Sequence, residues 1–191
     1  MSTSECTAVV IAICAAVLAA CASLTSVPGK PPAFGAAVSA EEIARWDISI
    51  PPSGAGLPKG GGSARQGLKV YEEKCQSCHG AKGAGKPADP LAGGIGSLAG
   101  GVGSLATKTP VRTVGSFWPY STTLFDYVRR AMPITNPLSL TDDEVYAVSA
   151  YVLFLNGVVG EDAVMNAQTL PQVKMPNRDG FVSDWPPRAR N

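Results

Sequence analysis

The sequence predicts an all-α fold, in which three to five short helices form one small domain between irregular N- and C-terminal arms. Three stretches show the apolar periodicity of amphipathic helices, namely 64–74, 122–131 and 142–156. The 21 glycines and 16 prolines of the 191-residue chain lie mainly outside these stretches, where they favour turns and loops. We therefore expect a compact domain at 63–160, with arms at 22–62 and 161–191.

The charge of the chain is close to zero. Lys and Arg together number 16, Asp and Glu 15, and the formal net charge is +1. Without residues 1–21, whose only charged side chain is Glu5, it becomes +2. No basic stripe with interleaved aromatic residues is present, so nucleic-acid binding is not expected.

The first helix is expected to begin after Ser63, because a serine oxygen accepts a hydrogen bond from the free N–H groups of a first turn. Gly67 lies near the apolar face, where the lack of a side chain permits another helix to approach closely. Apolar residues recur along that face at steps of four, three and four: Ala64, Leu68, Tyr71 and Cys75.

The first helix leads into the sequence Cys-x-x-Cys-His at 75–79. Thiols at this spacing, followed at once by an imidazole, are the attachment signature of c-type haem, with His79 as an axial ligand of the iron. A redox dithiol or a zinc half-site shares only Cys75 and Cys78. However, His79 is the chain's one histidine, and the other cysteines all lie near the N-terminus: Cys6, Cys14 and Cys21. The pattern predicts one covalently attached haem c, which would also enlarge the core of a small domain.

A glycine-rich stretch follows His79 and contains two prolines, Pro87 and Pro90. Either proline would offer a backbone carbonyl to the second ring nitrogen of His79, which orients the imidazole and tunes its basicity. The pattern fits Pro87 and Pro90 equally well as the hydrogen-bond partner of His79.

The second helix, 122–131, is expected to stop at Met132, because Pro133 disfavours the helical conformation of the residue before it. The Met132 thioether is then presented from a fixed helix end, as an axial ligand requires. Met175 also precedes a proline and is the alternative ligand, whereas Met165 suits ordinary packing. With one histidine, ligation by two histidines of this chain is excluded.

The third helix has a capping box, Thr141 with Glu144, and ends at Asn156-Gly157, which favours a left-handed stop. We expect a brief helical turn at 162–167 and then an irregular tail. One face of the helix is apolar: Val145, Val148, Val152 and Leu155.

Residues 1–21 have the character of a secretory signal peptide, since an unbroken apolar run, Ala8–Ala20, precedes small residues. Leu18–Cys21 resembles a lipobox, in which Cys21 would be lipidated and anchor the protein to a membrane; ordinary cleavage after Ala22 is the alternative. Either process implies the bacterial periplasm.

Next comes a Pro- and Gly-rich tether containing a bulky island, Ile43–Ile50, which we expect to dock through Trp46 on this chain or on a partner.

Together these patterns resemble class I cytochromes c. Four stretches are more narrowly similar to the cytochrome subunit of bacterial sulfane dehydrogenase, of the Sox thiosulfate-oxidation system, and to related sulfite dehydrogenase cytochromes. These are Trp46–Ile48, Phe117–Pro133, Leu140–Gly157 and Lys174–Val182.

The resemblance implies a class I cytochrome c fold around one haem, with His79 and Met132 as axial ligands. It also implies that Trp118 and Tyr120 donate hydrogen bonds to the haem propionates and that Arg112 neutralises one of them. Ordinary packing is the alternative for each of these three residues.

The resemblance further implies a partner, a molybdopterin-dependent dehydrogenase subunit that oxidises sulfite or sulfane sulfur, and a downstream cytochrome c. Larger members of the sulfane dehydrogenase type carry a second cytochrome domain, whereas this chain has one haem motif. We expect a periplasmic single-electron carrier and not an enzyme. The alternative is a free-standing haem enzyme, or a gas or redox sensor, with a labile sixth ligand.

Overall fold

A computed structural model describes residues 34–85 and 96–182, and the chain divides into two units, Met1–Trp46 and Asp47–Asn191. The described part of the first unit contains one helix, α1 (Ala40–Trp46), none of whose residues is buried. Within α1, the Trp46 indole N–H donates to Glu42 at 3.1 Å. The predicted leader with Cys21 lies outside the described residues. The docking of the Ile43–Ile50 island through Trp46 stays a prediction.

The described part of the second unit is built mainly of helices, which confirms the all-α prediction. The three amphipathic stretches form helices within one residue of the predicted bounds, and two helices of one turn each are additional. The helices are α2 (Ala64–Lys74), α3 (Gln76–His79), α4 (Val114–Phe117), α5 (Ser121–Ala131) and α6 (Asp142–Leu155). The predicted capping box forms at Thr141–Glu144, the predicted cap Ser63 also forms a box with Gln66, and Gly157 adopts the left-handed stop with φ +67°.

The helical turn expected at 162–167 is wrong. Residues Val164–Asn166 form a strand, β2, which pairs antiparallel with β1 (Gly61–Ser63). Three residues are too few to show the periodicity that distinguishes a strand from a turn. The pairing therefore depends on where the fold brings the two ends of the domain together.

The central contact of the second unit is the crossing of α2 and α6 at Gly67. A Cβ atom at this position would overlap the Ala147 carbonyl oxygen and lie 2.8 Å from Tyr151 Cβ. Next to this crossing, the rings of Tyr71 and Tyr151 pack with centroids 5.2 Å apart. An ion pair between Lys74 Nζ and Glu144 Oε1, at 2.5 Å, joins the other end of the two helices. The crossing confirms the close approach expected from Gly67.

Helix α5 packs on another side of α6, where the Phe125 and Tyr146 rings lie 4.5 Å apart. Segments assigned to the arms also join this core. The N–H of Ile50 donates to Asp126 Oδ1 at 2.9 Å, and the Ser121 hydroxyl donates to the Leu170 carbonyl at 2.6 Å. The compact unit therefore extends beyond 63–160, because a small helical core gains burial from the chain on both sides of it. No helix among the described residues is long and apolar enough to cross a membrane.

We predict that Gly67→Ala destabilises the second unit by about 1–3 kcal/mol, because the added methyl group overpacks the α2–α6 crossing. Helix propensity alone predicts the opposite sign, a gain of about 1 kcal/mol. Equilibrium denaturant unfolding of the haem-loaded protein measures the difference. Gly160→Ala is the control, since no atom lies within 4 Å of the added Cβ, and its effect should stay within about 0.5 kcal/mol. A Gly67→Ala protein of normal stability would contradict the close crossing.

Candidate haem-binding site

An apolar pocket with about 520 Å3 of space free of protein atoms, some of it open to solvent, lies where α2, α5 and α6 converge. Its lining contains no Asp, Glu, Lys or Arg, so it suits a large apolar group. We call it the haem pocket. It is lined by Tyr71, Cys75, His79, Leu98, Val114, Trp118, Leu124, Tyr127, Val128, Met132, Val148 and Val152.

The predicted attachment motif lies at one wall of this pocket. Cys75 caps the end of α2, with its N–H donating to the Tyr71 carbonyl at 2.9 Å. The N–H groups of Cys78 and His79 both donate to the Cys75 carbonyl, at 3.1 and 3.0 Å. This single turn places Cys75 and His79 in the pocket lining and leaves Cys78 exposed. Both thiols are free.

Burial sets the protonation of the two pocket groups. It raises the pKa of the Cys75 thiol to about 11 and lowers the pKa of His79 below its usual value, because a low-dielectric environment disfavours the charged forms. His79 is therefore neutral at neutral pH, the form in which a ring nitrogen binds a metal. Its Nδ1 atom is buried and has no hydrogen-bond partner among the described residues. Pro87 and Pro90, the predicted partners, lie outside those residues.

The chain leaves His79 through a tight glycine turn. Gly80 has φ +74°, and the His79 carbonyl accepts a hydrogen bond from the Gly85 N–H at 2.8 Å. A Cβ atom at Gly80 would overlap the Gly85 carbonyl oxygen, so both the left-handed backbone and the close contact require glycine. The Tyr71 hydroxyl donates to the Gly80 carbonyl at 2.8 Å. The backbone beside His79 is thus held from two sides.

Met132 lies at the end of α5 and lines the same pocket as His79. Its backbone is extended, with φ −118° and ψ 144°, as expected for a residue before proline. Met132 also lines a second recess that adjoins the haem pocket and includes the exposed Cys78. Met165 and Met175 are buried elsewhere and line neither cavity. The fold therefore brings one of the three candidate methionines to the pocket of His79.

The other three predicted site residues have different surroundings. Trp118 lines the haem pocket and makes an edge-to-face contact with Tyr127, with ring centroids 5.8 Å apart. Tyr120 and Arg112 are not in the pocket lining. The Tyr120 ring lies 4.1 Å from the Arg178 guanidinium, and the Arg112 guanidinium lies 5.5 Å from the ring of Phe117.

Three lining residues were not anticipated: Tyr127, Leu98 and Val114. Tyr127 follows Leu124 by three residues, so the helical periodicity that marks Leu124 and Val128 also marks Tyr127. Leu98 lies in a glycine-rich stretch without periodicity. Its N–H donates to the Gly83 carbonyl at 2.8 Å and its carbonyl accepts from the Val114 N–H at 3.3 Å, contacts that no local pattern reveals.

These residues fit an iron porphyrin. A free thiol, a neutral imidazole and a thioether line one apolar cavity, and the second free thiol, Cys78, lines the adjoining recess; these are the groups that attach and ligate a c-type haem. A zinc centre needs three or four His, Cys, Asp or Glu ligands, and no such cluster exists within the described segments.

Comparisons with known proteins agree with this chemistry. The family model described as cytochrome c oxidase, cbb3-type, subunit III matches residues 62–152. A chain in the crystal structure of the sulfane dehydrogenase SoxCD from Paracoccus pantotrophus is 39% identical, with a TM-score of 0.72. The match covers 79% of this chain and 71% of that chain. No curated protein matches the sequence significantly.

The family model covers both the attachment motif and the helices that wall the pocket. The SoxCD similarity extends over more than two thirds of both chains. This protein therefore belongs to the class I cytochrome c family, resembles the Sox sulfane dehydrogenase within it, and carries covalently bound haem c.

Proposed function

We propose that this electron-transfer cytochrome accepts single electrons from a molybdenum-dependent sulfite or sulfane dehydrogenase and passes them to a downstream cytochrome c. The observation that carries the proposal is the 39% identity to a chain of SoxCD, a sulfane dehydrogenase, over most of both chains. The four stretches that resemble sulfur-oxidising cytochromes support the same donor. The periplasm is the proposed compartment, reached through the leader at 1–21, with either lipidation of Cys21 or release after Ala22.

Cys75 and Cys78 are the proposed attachment thiols, and His79 and Met132 the proposed axial ligands. Haem c, when bound, supplies a one-electron couple. The support for this ligand set is the shared pocket of Cys75, His79 and Met132, together with the burial of Met165 and Met175 elsewhere. His79 and Met132 would fill both axial positions and leave none for oxygen or peroxide, which favours an electron carrier over an enzyme.

The pocket walls contribute by excluding water. The aliphatic wall of α5 and α6 includes Leu124, Val128, Val148 and Val152, and such a wall lowers the local dielectric and limits reorganisation of solvent. A methionine opposite a histidine raises the reduction potential relative to two histidines. Low polarity and a thioether ligand therefore both suit an acceptor of electrons.

Trp118, Tyr120 and Arg112 are the proposed partners of the haem propionates, and the position of Trp118 supports its role better than the positions of the other two. Trp118 lines the pocket, and its indole N–H is a donor. Tyr120 and Arg112 lie outside the lining, beside the aromatic and cationic partners described above. Arg178, which lies over the Tyr120 ring, places a positive charge beside Tyr120.

We predict that Met132→Ala abolishes the weak red absorption band of a thioether–iron bond in the oxidised protein. It should also lower the reduction potential and permit rapid binding of carbon monoxide or cyanide, because the sixth position loses its ligand. Met175→Leu is the control, since Met175 is buried outside the pocket, and its spectrum should be unchanged. Loss of the band in Met175→Leu would transfer the ligand role to Met175, and rapid carbon monoxide binding by the wild type would favour the sensor alternative.

We predict that sulfite or a sulfane-sulfur compound reduces this cytochrome in an envelope extract of its host, and that a molybdopterin-containing subunit co-purifies with the full chain. Optical difference spectra of the haem measure the reduction. The control extract comes from cells grown with tungstate in place of molybdate, in which a molybdenum enzyme is inactive. Equally fast reduction in that extract would contradict a molybdenum donor without affecting the assignment as a cytochrome.

A further inference from the structure

The recess beside the haem pocket opens at the surface next to Cys78, and we call its lining the Cys78 rim. The rim shares Cys75, His79, Tyr127 and Met132 with the haem pocket, so a partner that covers it comes close to the proposed redox centre. The complete lining is Lys74, Cys75, Ser77, Cys78, His79, Tyr127, Met132, Pro133, Ile134 and Thr135.

The Cys78 rim is almost free of formal charge. Lys74 is the one Lys, Arg, Asp or Glu in its lining, and its ammonium group is paired with the Glu144 carboxylate at 2.5 Å. The two segments that supply most of the rim, 75–81 and 131–141, contain no Lys, Arg, Asp or Glu at all. A protein surface of this size ordinarily includes several charged residues.

The two arginines in the last turn of α5, which directly precede the rim segment 131–141 in the chain, are paired with carboxylates. The Arg129 Nε atom lies 3.2 Å from Asp142 Oδ1, and the Arg130 Nε donates to Asp126 Oδ1 at 3.0 Å. Paired charges give weak fields beyond a Debye length of about 8–10 Å. The rim therefore offers little electrostatic attraction to an incoming protein.

The rim nevertheless exposes apolar side chains. Ile134 is 73% exposed and adjoins the half-buried Pro133, and both line the recess without lining the haem pocket itself. Exposed apolar groups rimmed by uncharged polar ones are typical of protein interaction sites. Burial of these side chains would stabilise a complex and adds little to the isolated fold.

We infer that the Cys78 rim is the docking surface for a redox protein whose own contact surface is uncharged and apolar. A charged patch on the partner would lose its hydration against the rim and gain no opposite charge in return. Association is then driven by apolar contact, with little long-range steering. This inference rests on the proposed function, since it specifies the partner surface of an electron carrier.

Electron self-exchange between oxidised and reduced copies of the haem-loaded protein tests the inference, because a second copy presents a partner surface of the required chemistry. NMR line broadening measures the rate. We expect less than about a twofold change in rate between about 20 mM and 500 mM salt. We also expect Ile134→Ser to lower the rate about tenfold at both salt concentrations.

Val164→Ser is the matched control, since Val164 is 51% exposed on β2 and lines neither the haem pocket nor the rim. Its rate should equal that of the wild type. A strong salt dependence of the wild type, or an Ile134→Ser rate equal to the control, would overturn the docking inference. Failure of ascorbate to reduce the wild-type haem reversibly would instead overturn the proposed function.

A second, independent inference rests on the hydrogen bond donated by the Tyr71 hydroxyl. This side chain is fully buried in the wall of the haem pocket, and its hydroxyl donates to the carbonyl of Gly80, which follows His79. Tyr71 also lies one helical turn before Cys75, whose N–H donates to the Tyr71 carbonyl. One residue thus contacts the backbone on both sides of the Cys-x-x-Cys-His motif.

We propose that Tyr71 is a positioning residue, which acts through the Gly80 backbone to hold the ring of His79 in one orientation. The turn after His79 has a left-handed glycine and a hydrogen bond from Gly85 to His79. The Tyr71 hydroxyl is the side-chain group among the described residues that donates to this turn at Gly80. Groups that orient an axial imidazole tune the metal it ligates.

Tyr71→Phe tests this role against Tyr146→Phe in the haem-loaded protein. Tyr146 is equally buried and donates to the Pro58 carbonyl at 2.9 Å, but it does not line the haem pocket. Both variants lose one buried hydrogen bond, so we expect similar losses of stability. Only Tyr71→Phe should shift the reduction potential and the NMR signals of the axial imidazole. Wild-type values for both in Tyr71→Phe, or equal shifts in the two variants, would overturn the positioning role.

Discussion

The close crossing of α2 and α6 at Gly67 is the contact on which the rest of the structure depends. Backbone packs against backbone there, so the position of α2 relative to α6 tolerates little adjustment. Because α2 ends at Cys75 and α6 supplies Val148 and Val152, the same contact sets the distance between the attachment motif and the opposite wall of the haem pocket. A glycine eight residues before a cysteine thus determines where the cofactor is held.

Charged and apolar side chains occupy different parts of the second unit. Charged pairs such as Lys74–Glu144 and Arg129–Asp142 join the helices at their ends, while the pocket and its outer rim remain free of unpaired charge. Low polarity inside favours the reduced form of a haem iron with a methionine ligand. Low polarity outside favours a partner recognised by apolar contact; the helices α5 and α6 supply the apolar interior, and the uncharged segments 75–81 and 131–141 supply most of the rim.

Local sequence rules predicted much of this molecule because the signals are themselves local. A capping serine, a capping box and an asparagine–glycine stop act within one turn of a helix, and the two helices that they bound, α2 and α6, are observed. Pro133 likewise dictates the extended backbone of Met132. The strand pairing of Val164–Asn166 was missed, and so was the pocket role of Leu98, because long-range contacts determine both.

By itself, the sequence determined the chemistry: one haem motif, one imidazole and, after Met1, three methionines, with attachment groups whose spacing is a property of one helical turn. The tertiary structure decided which methionine shares a pocket with His79, and that Trp118, but not Tyr120 or Arg112, lines it. It also revealed the uncharged rim around Cys78. Covalent and capping chemistry depends on neighbours in the chain, whereas a pocket depends on residues that only folding brings together.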